Sequence, residues 1–537
     1  MSQPIELAAD YYLSNFHKLT EHALEWYPDL LTDSELRWLH GFEQLSRDAQ
    51  CLLVRLLSRK GQWFRSDKLR YEEISDIDSA LDLLNESGFI SLDPVISEKQ
   101  LALHLLTKGE TQQLFGISNK NLRKEQMVDE VSDNCFTLFS QLPYRLIELR
   151  QPNVIDVLLT LFFANTHQDL SQFVLDDLGL HQFEQYPLSK ARRFFSERQQ
   201  VEQLLLLSQI QSEYVQSDRK QSHNLISLLE QLPDLVSHPY IERKRQHLIN
   251  DLARDLERLG LLTECLEWFS KTELPPSRER QARVFDKLDN ITAMSDVVTI
   301  MLTQPYDISE LEVAEKLAQR VKRKLGQRVP RTTKPKVAEY HLQLDLSQHR
   351  VELAVQHHFE QLGYRVFYAE NSVLNGLFGL AFWHTIFSPV EGAFINQYQH
   401  RPLDLYHSDF MAKRQSDIDT VLADIANNGL SHLKQVYQQK FGISNPFVHW
   451  QGFTLPLLEE CIETIPNHLV VDLFKVMLSD LKIYRNGMPD LILFKDGEFE
   501  WVEVKGPGDK LQDNQWRWIS HFKRLKVPFS VAYVTAT

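Results

Sequence analysis

The chain has 537 residues, 43% hydrophobic and 24% charged, with a formal net charge of −15 and four cysteines. That length suits three or four domains with a core each, the composition is that of an ordinary soluble globular protein, and no apolar run approaches the ~18 residues of a membrane span. Cys51, Cys135, Cys265 and Cys461 form no CxxC pair, which predicts a reducing compartment and no structural zinc. The start, Met1-Ser2-Gln3-Pro4, has neither the basic nor the apolar region of a secretory signal, so the expected location is cytoplasmic.

In chain order, residues 1–95 predict an N-terminal helical unit: 45–57 is apolar and amphipathic, and 74–89 repeats the pattern with Ile77, Leu81 and Leu84. Between them Arg59, Lys60, Arg65, Lys68 and Arg70 are interleaved with Trp63 and Phe64. Short helices around a basic turn suit duplex DNA, because binding to phosphates is cationic and driven by counterion release; the alternative is a solvated face. Residues 139–336 read as almost wholly helical, with amphipathic stretches at 201–207, 225–232, 248–262 and 311–321. Their bland reading is a helical spacer. A basic run from 319 to 336, with Gly326, Pro330 and Pro335, marks a hinge.

The last region, 337–537, predicts an α/β unit. A leading helix is expected at 341–363, then a strand ending near Ala369 and a buried helix over 374–387. Glu370 sits at that strand-to-helix junction, either as a metal ligand or as a helix-start carboxylate favoured by the macrodipole. His384, His400, His407 and His449 fit no metal-ligand spacing.

Near the end runs Gly487-Met488-Pro489-Asp490, an apolar stretch, a turn at 495–498, and Trp501-Val502-Glu503-Val504-Lys505-Gly506. Pro489 favours the first position of a strand and sets Asp490 at its mouth. On the returning strand a period of two sends Trp501, Glu503 and Lys505 to one face and Val502 and Val504 to the other. Two carboxylates and an ammonium therefore meet at one end of a hairpin. Divalent ions held by such carboxylates lower the pKa of bound water and neutralise charge at a phosphodiester. Asp490 and Glu503 are the expected ligands, the Val504 carbonyl a further one, and Lys505 stabilises charge or orients water. The alternative is an edge hairpin with a solvated Glu-Lys pair.

The strand-turn-strand-helix-strand order of 491–535 resembles the PD-(D/E)xK nuclease core. More narrowly, Glu503-Val504-Lys505-Gly506-Pro507 with Asp509, Leu511 and Gln515 resembles the VRR-NUC domain of the Fanconi-associated nuclease family. Glu370-Asn371-Ser372, Leu377-Phe378-Gly379-Leu380, Trp383 and Arg401-Pro402-Leu403-Asp404-Leu405 are similar to the family's approach to that domain.

The resemblance implies a predominantly α multidomain protein: an N-terminal helical DNA-binding region (1–95), a SAP-like module (96–138), a tetratricopeptide-like region (139–336) and an α/β VRR-NUC domain (337–537). It implies a structure-specific DNA nuclease with 5′-flap endonuclease and 5′-to-3′ exonuclease activity, serving DNA repair including interstrand crosslinks. Glu370, Asp490, Glu503 and Val504 would hold Mg2+ or Mn2+, two ions per site. Lys482, Lys510 and Gln515 join the DNA-facing set, and the partner is branched or flapped double-stranded DNA. The short form is similar to the bacterial members, without the ubiquitin-binding zinc finger of larger relatives, and is expected at the nucleoid. The competing readings are a restriction- or replication-type nuclease with the same core, and a helical-repeat scaffold whose nuclease fold has become a DNA-binding module.

Overall fold

The computed structural model describes residues 8–119, 121–166, 182–330, 334–347 and 349–537. Its chain divides into two compact units, one of residues 1–180 with 195–205 and the other of 181–194 with 206–537.

In the first unit, helix Tyr11–Trp26 is followed by helices Asp33–Glu43, Arg47–Leu57 and Ile77–Glu86, and these three start where short polar side chains satisfy their free N–H groups. Thr32 and Glu35 cap each other's backbone, and Ser46 and Asp76 accept from Ala49 and Ser79. The helices enclose Phe16, Trp38 and Phe42, the last two stacked at 5.7 Å. A small antiparallel sheet completes the unit, with β1 (Trp63–Arg65) and β2 (Ile90–Leu92) on either side of β3 (Leu146–Leu149). The expectation of an almost wholly helical chain after 139 therefore fails at β3. Leu146, Ile147 and Leu149 are apolar on both faces because β3 is the central strand, a pattern that periodicity cannot separate from a buried helical turn. Helices Glu98–His104, Lys108–Phe115 and Lys124–Glu130 occupy the stretch between β2 and β3.

In the second unit, helices Pro239–Arg258, Leu262–Phe269, Ser277–Lys287, Ile291–Thr303 and Ile308–Lys324 pack in succession. Ala282, Met294, Val298, Met301, Ala314 and Leu317 form one of their shared cores. Glu257, almost fully buried, accepts from Arg254, Arg280 and Lys287, whose bonds hold its carboxyl down at about 2 against the cost of burial. Arg320 and Lys324 of the basic run pair with Asp286, so these two cations are spent inside the helical array.

A five-stranded mixed sheet follows: β4 (Ala338–Leu344), β5 (Arg365–Tyr368), β6 (Leu491–Lys495), β7 (Glu498–Lys505) and β8 (Phe529–Ala536), in the order β4-β8-β7-β6-β5. The β6–β7 turn puts Asp496 and Gly497 at φ 52° and 80°, the two positive values that a two-residue hairpin twisting with its strands requires. β8 lies parallel to β7 and returns through helix Asp513–Leu525.

The leading helix expected at 341–363 is corrected to two elements, β4 and helix Val351–Gln361. Tyr340, Leu342 and Leu344 alternate, and they become a strand because β8, nearly the last segment of the chain, supplies the parallel partner backbone. Helix Val351–Gln361 covers one face of the sheet over Leu491, Leu493, Val502 and Val504. The other face lies under helices Val373–Ala381, Asn467–Ser479 and Asp513–Leu525.

Trp501 lies on that second face, 1% exposed and stacked on Phe522 at 5.6 Å with an interplanar angle of 1°. Trp501→Ala is expected to cost about 3–5 kcal/mol in a urea titration, because it leaves a large cavity beneath helix Asp513–Leu525.

Candidate active site

Asp490 is placed by backbone pairing on both sides. Its carbonyl accepts from Ala369 N at 2.7 Å, which zips the end of β5 to the start of β6. Its Oδ2 accepts from Val504 N at 2.8 Å, across the hairpin register that sets Leu491 against Val502. Glu503 and Lys505 stand next along β7, with Lys505 Nζ 2.8 Å from Glu503 Oε1; both side chains are more than nine-tenths buried. Gln515 Nε2 donates to the same Glu503 oxygen. Glu370 follows β5 directly and accepts from Tyr368 Oη at 2.5 Å; Asn371, at φ 51°, then turns the chain into helix Val373–Ala381.

The loop leading to Asp490 is laced down by groups that no motif announces. Asn371 Oδ1 accepts from Met488 N, Asn375 Nδ2 donates to the Arg485 carbonyl, and Trp518 Nε1 donates to the Asn486 carbonyl. Gly487, at φ +90°, is needed for a close approach: a Cβ there would lie 2.8 Å from the Asn514 carbonyl oxygen, at the start of the helix that carries Gln515. Sequence reasoning missed Tyr368, Asn371, Asn375 and Trp518 as site residues. The available signal was polar Asn371 and Asn375 bordering and interrupting an otherwise apolar helix.

Burial is the main cause that pushes the Asp490 carboxyl up to about 6, with the neighbouring Glu370 charge adding to it and the Val504 N–H opposing. Burial and then the Asp490 charge push Glu503 up to about 8, against the pull of Lys505. Glu370 therefore belongs to the same electrostatic cluster. Hard oxygen donors whose charges oppose one another fit a divalent cation of the magnesium type. Among the described residues, no three His, Cys, Asp or Glu side chains close to ligand geometry. Lys505 and Gln515 both engage Glu503 Oε1, which leaves Oε2 as the oxygen that an ion could take.

The expected DNA-facing residues are dispersed. Arg59, Lys60, Lys68 and Arg70 are exposed in the first unit, with Arg59 above the Tyr71 ring at 5.5 Å. Arg65 is corrected: it is 7% exposed, paired with Asp67 at 2.9 Å and Glu110 at 2.8 Å, and stacked on Tyr144, and its guanidinium holds the Glu110 carboxyl at about 2. A doubly paired, buried arginine is a structural group, and its alternation with Trp63 on β1 conceals that from sequence. In the second unit Lys510 is exposed near the hairpin, Gln515 points to Glu503, and Lys482 lines a separate cavity with His247, Tyr306 and His407. Burial lowers His407 to about 4.

Family models match at two places: the HTH domain of FAN1 over residues 10–91 and the VRR-NUC domain over 429–536. A Fanconi-associated nuclease 1 homolog of Pseudomonas aeruginosa is 31% identical over 543 residues, spanning 98% of this chain and 95% of the relative. The chain belongs to the Fanconi-associated nuclease family. Homologues from Oryza sativa subsp. japonica and Homo sapiens are 25% and 23% identical, and the chain spans 61% and 62% of their lengths. The fold is similar to a crystal structure of paFAN1 bound to 2nt 5′ flap DNA with gap, with a TM-score of 0.84 and 31% identity, covering 99% of this chain and all of that one. A second paFAN1 structure, bound to 1nt 5′ flap DNA with gap, matches at 0.82. As a family member the protein is a structure-specific nuclease, a hydrolase of DNA phosphodiester bonds whose VRR-NUC domain depends on a divalent metal.

Two outcomes follow from the geometry. With divalent ions chelated, Asp490 and Glu503 hold protons more tightly folded than unfolded, so stability should fall as pH rises from about 4, the range of free carboxyls, through about 6 and about 8. Asp490→Asn should raise Tm by a few degrees in chelator at pH 8, and added Mg2+ should stabilise the wild type more than the variant. Gly487→Ala should slow cleavage about tenfold or more by shifting the start of the Gln515 helix, while the Kd for DNA changes little.

Proposed function

We propose that this nuclease is a 5′-flap endonuclease and 5′-to-3′ exonuclease of DNA repair, including interstrand crosslinks, with Asp490, Glu503 and Lys505 as its catalytic residues. The reading rests on one observation, the convergence of Glu370, Asp490, Glu503 and Lys505 at the β5–β6–β7 strand ends, where the carboxyls oppose one another's ionisation. Relatives crystallised with 5′ flap DNA support the choice of substrate. The assignment of 1–95, 96–138, 139–336 and 337–537 as DNA-binding, SAP-like, tetratricopeptide-like and nuclease regions belongs to the same proposal.

Glu370, Asp490, Glu503 and the Val504 carbonyl would hold Mg2+ or Mn2+, two ions per site. Bound there, the ions supply a nucleophile at neutral pH and neutralise charge building on the phosphate. Asp490 is pre-aligned for this by its bond from Val504 N, so little side-chain freedom remains to be lost. Lys505, 2.8 Å from Glu503 Oε1, would donate to a non-bridging phosphate oxygen or orient the attacking water. Gln515, a second donor to the same oxygen, would hold the Glu503 carboxyl in place. Arg59, Lys60, Lys68, Arg70, Lys482 and Lys510 would contact DNA phosphates, with Arg65 left out because its charge is already paired.

Asp490→Ala and Glu503→Ala should each lower the single-turnover cleavage of a labelled 5′ flap by about 10³-fold or more in Mg2+ or Mn2+, with flap binding retained. Lys505→Ala should lose most of the rate and keep ion binding. Wild-type cleavage by the Asp490 variant would remove the site assignment. Cleavage of an unbranched duplex at the rate of a flap would remove the substrate assignment.

A further inference from the structure

Beside Glu370 lies a cavity of about 310 Å³ that the chemistry above does not use. Glu370 is on its rim, Ser372, His449 and Asn486 are among its walls, and Phe447 and Val448 supply an apolar side. That volume is at the small end of ligand pockets, which run from about 300 to 1,000 Å³.

Its polar groups fall into two sets. Asn375 and Asn445 are committed to the fold: Asn375 Nδ2 donates to the carbonyls of Asn371 and Arg485, and Asn445 Oδ1 accepts from Phe447 N and Val448 N. Among the described residues the His449 ring and the Asn486 side-chain amide make no hydrogen bond, and both residues are exposed. Ser372 is 6% exposed, yet its Oγ has no partner among the described residues and does not cap the helix that it precedes. A buried hydroxyl left unpaired costs about 1–3 kcal/mol, a cost removed when a ligand or a water completes it.

We propose that this cavity is a nucleobase subsite, which takes the base of one nucleotide flanking the scissile phosphate after it leaves the helical stack. The proposal rests on the nuclease reading of the neighbouring carboxylates. Charge argues for a base rather than a second phosphate. Glu370 puts a carboxylate on the rim, and the arginine of the lining, Arg485, directs Nη1 to the Tyr406 hydroxyl and lies over the Tyr406 ring at 5.4 Å. A base is neutral, planar and edged with donors and acceptors, so an amide, an imidazole and a hydroxyl can all serve it while Phe447 and Val448 meet its apolar surface. Because Glu370 borders both the cavity and the metal-binding cluster, an extruded base here holds its own phosphodiester next to the reacting centre. Extrusion costs a few kcal/mol and least where the duplex is already broken, which ties cleavage to a junction without any contact to the flap itself.

The test uses the full-length chain carrying Asp490→Ala, so that DNA is bound but not cut, with 5′ flaps bearing 2-aminopurine at each position around the cut mapped with the wild type. One position adjacent to the cut should brighten about twofold or more as the base unstacks, and His449→Ala with Asn486→Ala should abolish that signal while flap affinity and Tm hold. His449→Asn, which keeps a side-chain donor and acceptor, should restore part of it. In the wild type, an abasic nucleotide at that position should lower kcat/KM by about tenfold, and the double variant should be insensitive to it. Absence of any brightening, or brightening and abasic sensitivity that survive the double variant, would overturn the subsite. The nuclease reading fails separately, if the wild type does not cut the flap in Mg2+ or Mn2+.

Discussion

The hydrogen bond from Val504 N to Asp490 Oδ2 is the contact on which the rest of the site depends. It joins the two halves of the motif across a hairpin whose register is set by a two-residue turn, and a slip of one residue would turn Glu503 toward the core under helix Val351–Gln361. Both faces of β7 are covered, so the slip is opposed from both sides. Val502 and Val504 fill one core and Trp501 the other. The geometry of the carboxylate cluster thus inherits its precision from packing that has no chemical role.

That packing also creates the electrostatic tension of the site. Glu503 is buried beside another carboxylate, and the nearby Lys505 does not offset the cost of burial, since the Glu503 carboxyl still rises to about 8. Packing around Trp501, Trp518 and Phe522 holds carboxyls away from the water that would keep them ionised. A divalent cation held by these carboxyls would relieve the same strain and so couple its binding to stability. Elsewhere the chain treats buried charge differently: Glu257 has three cations and Asp404 is paired with the fully buried Arg414, so those carboxylates build structure. The contrast between an over-neutralised carboxylate and an under-neutralised one separates scaffold from site.

The net charge of −15 obscures the same distinction. Cations of the chain are partly consumed internally: Arg65 by Asp67 and Glu110, Arg320 and Lys324 by Asp286, and Arg517 by Glu312. The last pair ties helix Asp513–Leu525 to helix Ile308–Lys324, so the element that carries Gln515 is braced by the helical array. Basic runs in sequence overstate the positive surface, because most of these pairing partners lie tens of residues away or more.

The sequence by itself determined the family, the hairpin, the alternation along Trp501–Lys505 and the identity of the carboxylates, because period-two patterning and a turn of Asp-Gly type are local properties. It also placed Glu370 at a strand-to-helix junction, where β5 and helix Val373–Ala381 now flank it. Only the tertiary structure decided that residues 338–344 are a strand, since the β8 backbone that pairs with them lies almost two hundred residues away, and that β3 is a central strand. It alone removed Arg65 from the DNA-facing set and brought Tyr368, Asn371, Asn375 and Trp518 to the site. Which hydrogen bonds a polar side chain spends on its own fold, and which it keeps for a substrate, depends on neighbours that no local spacing encodes.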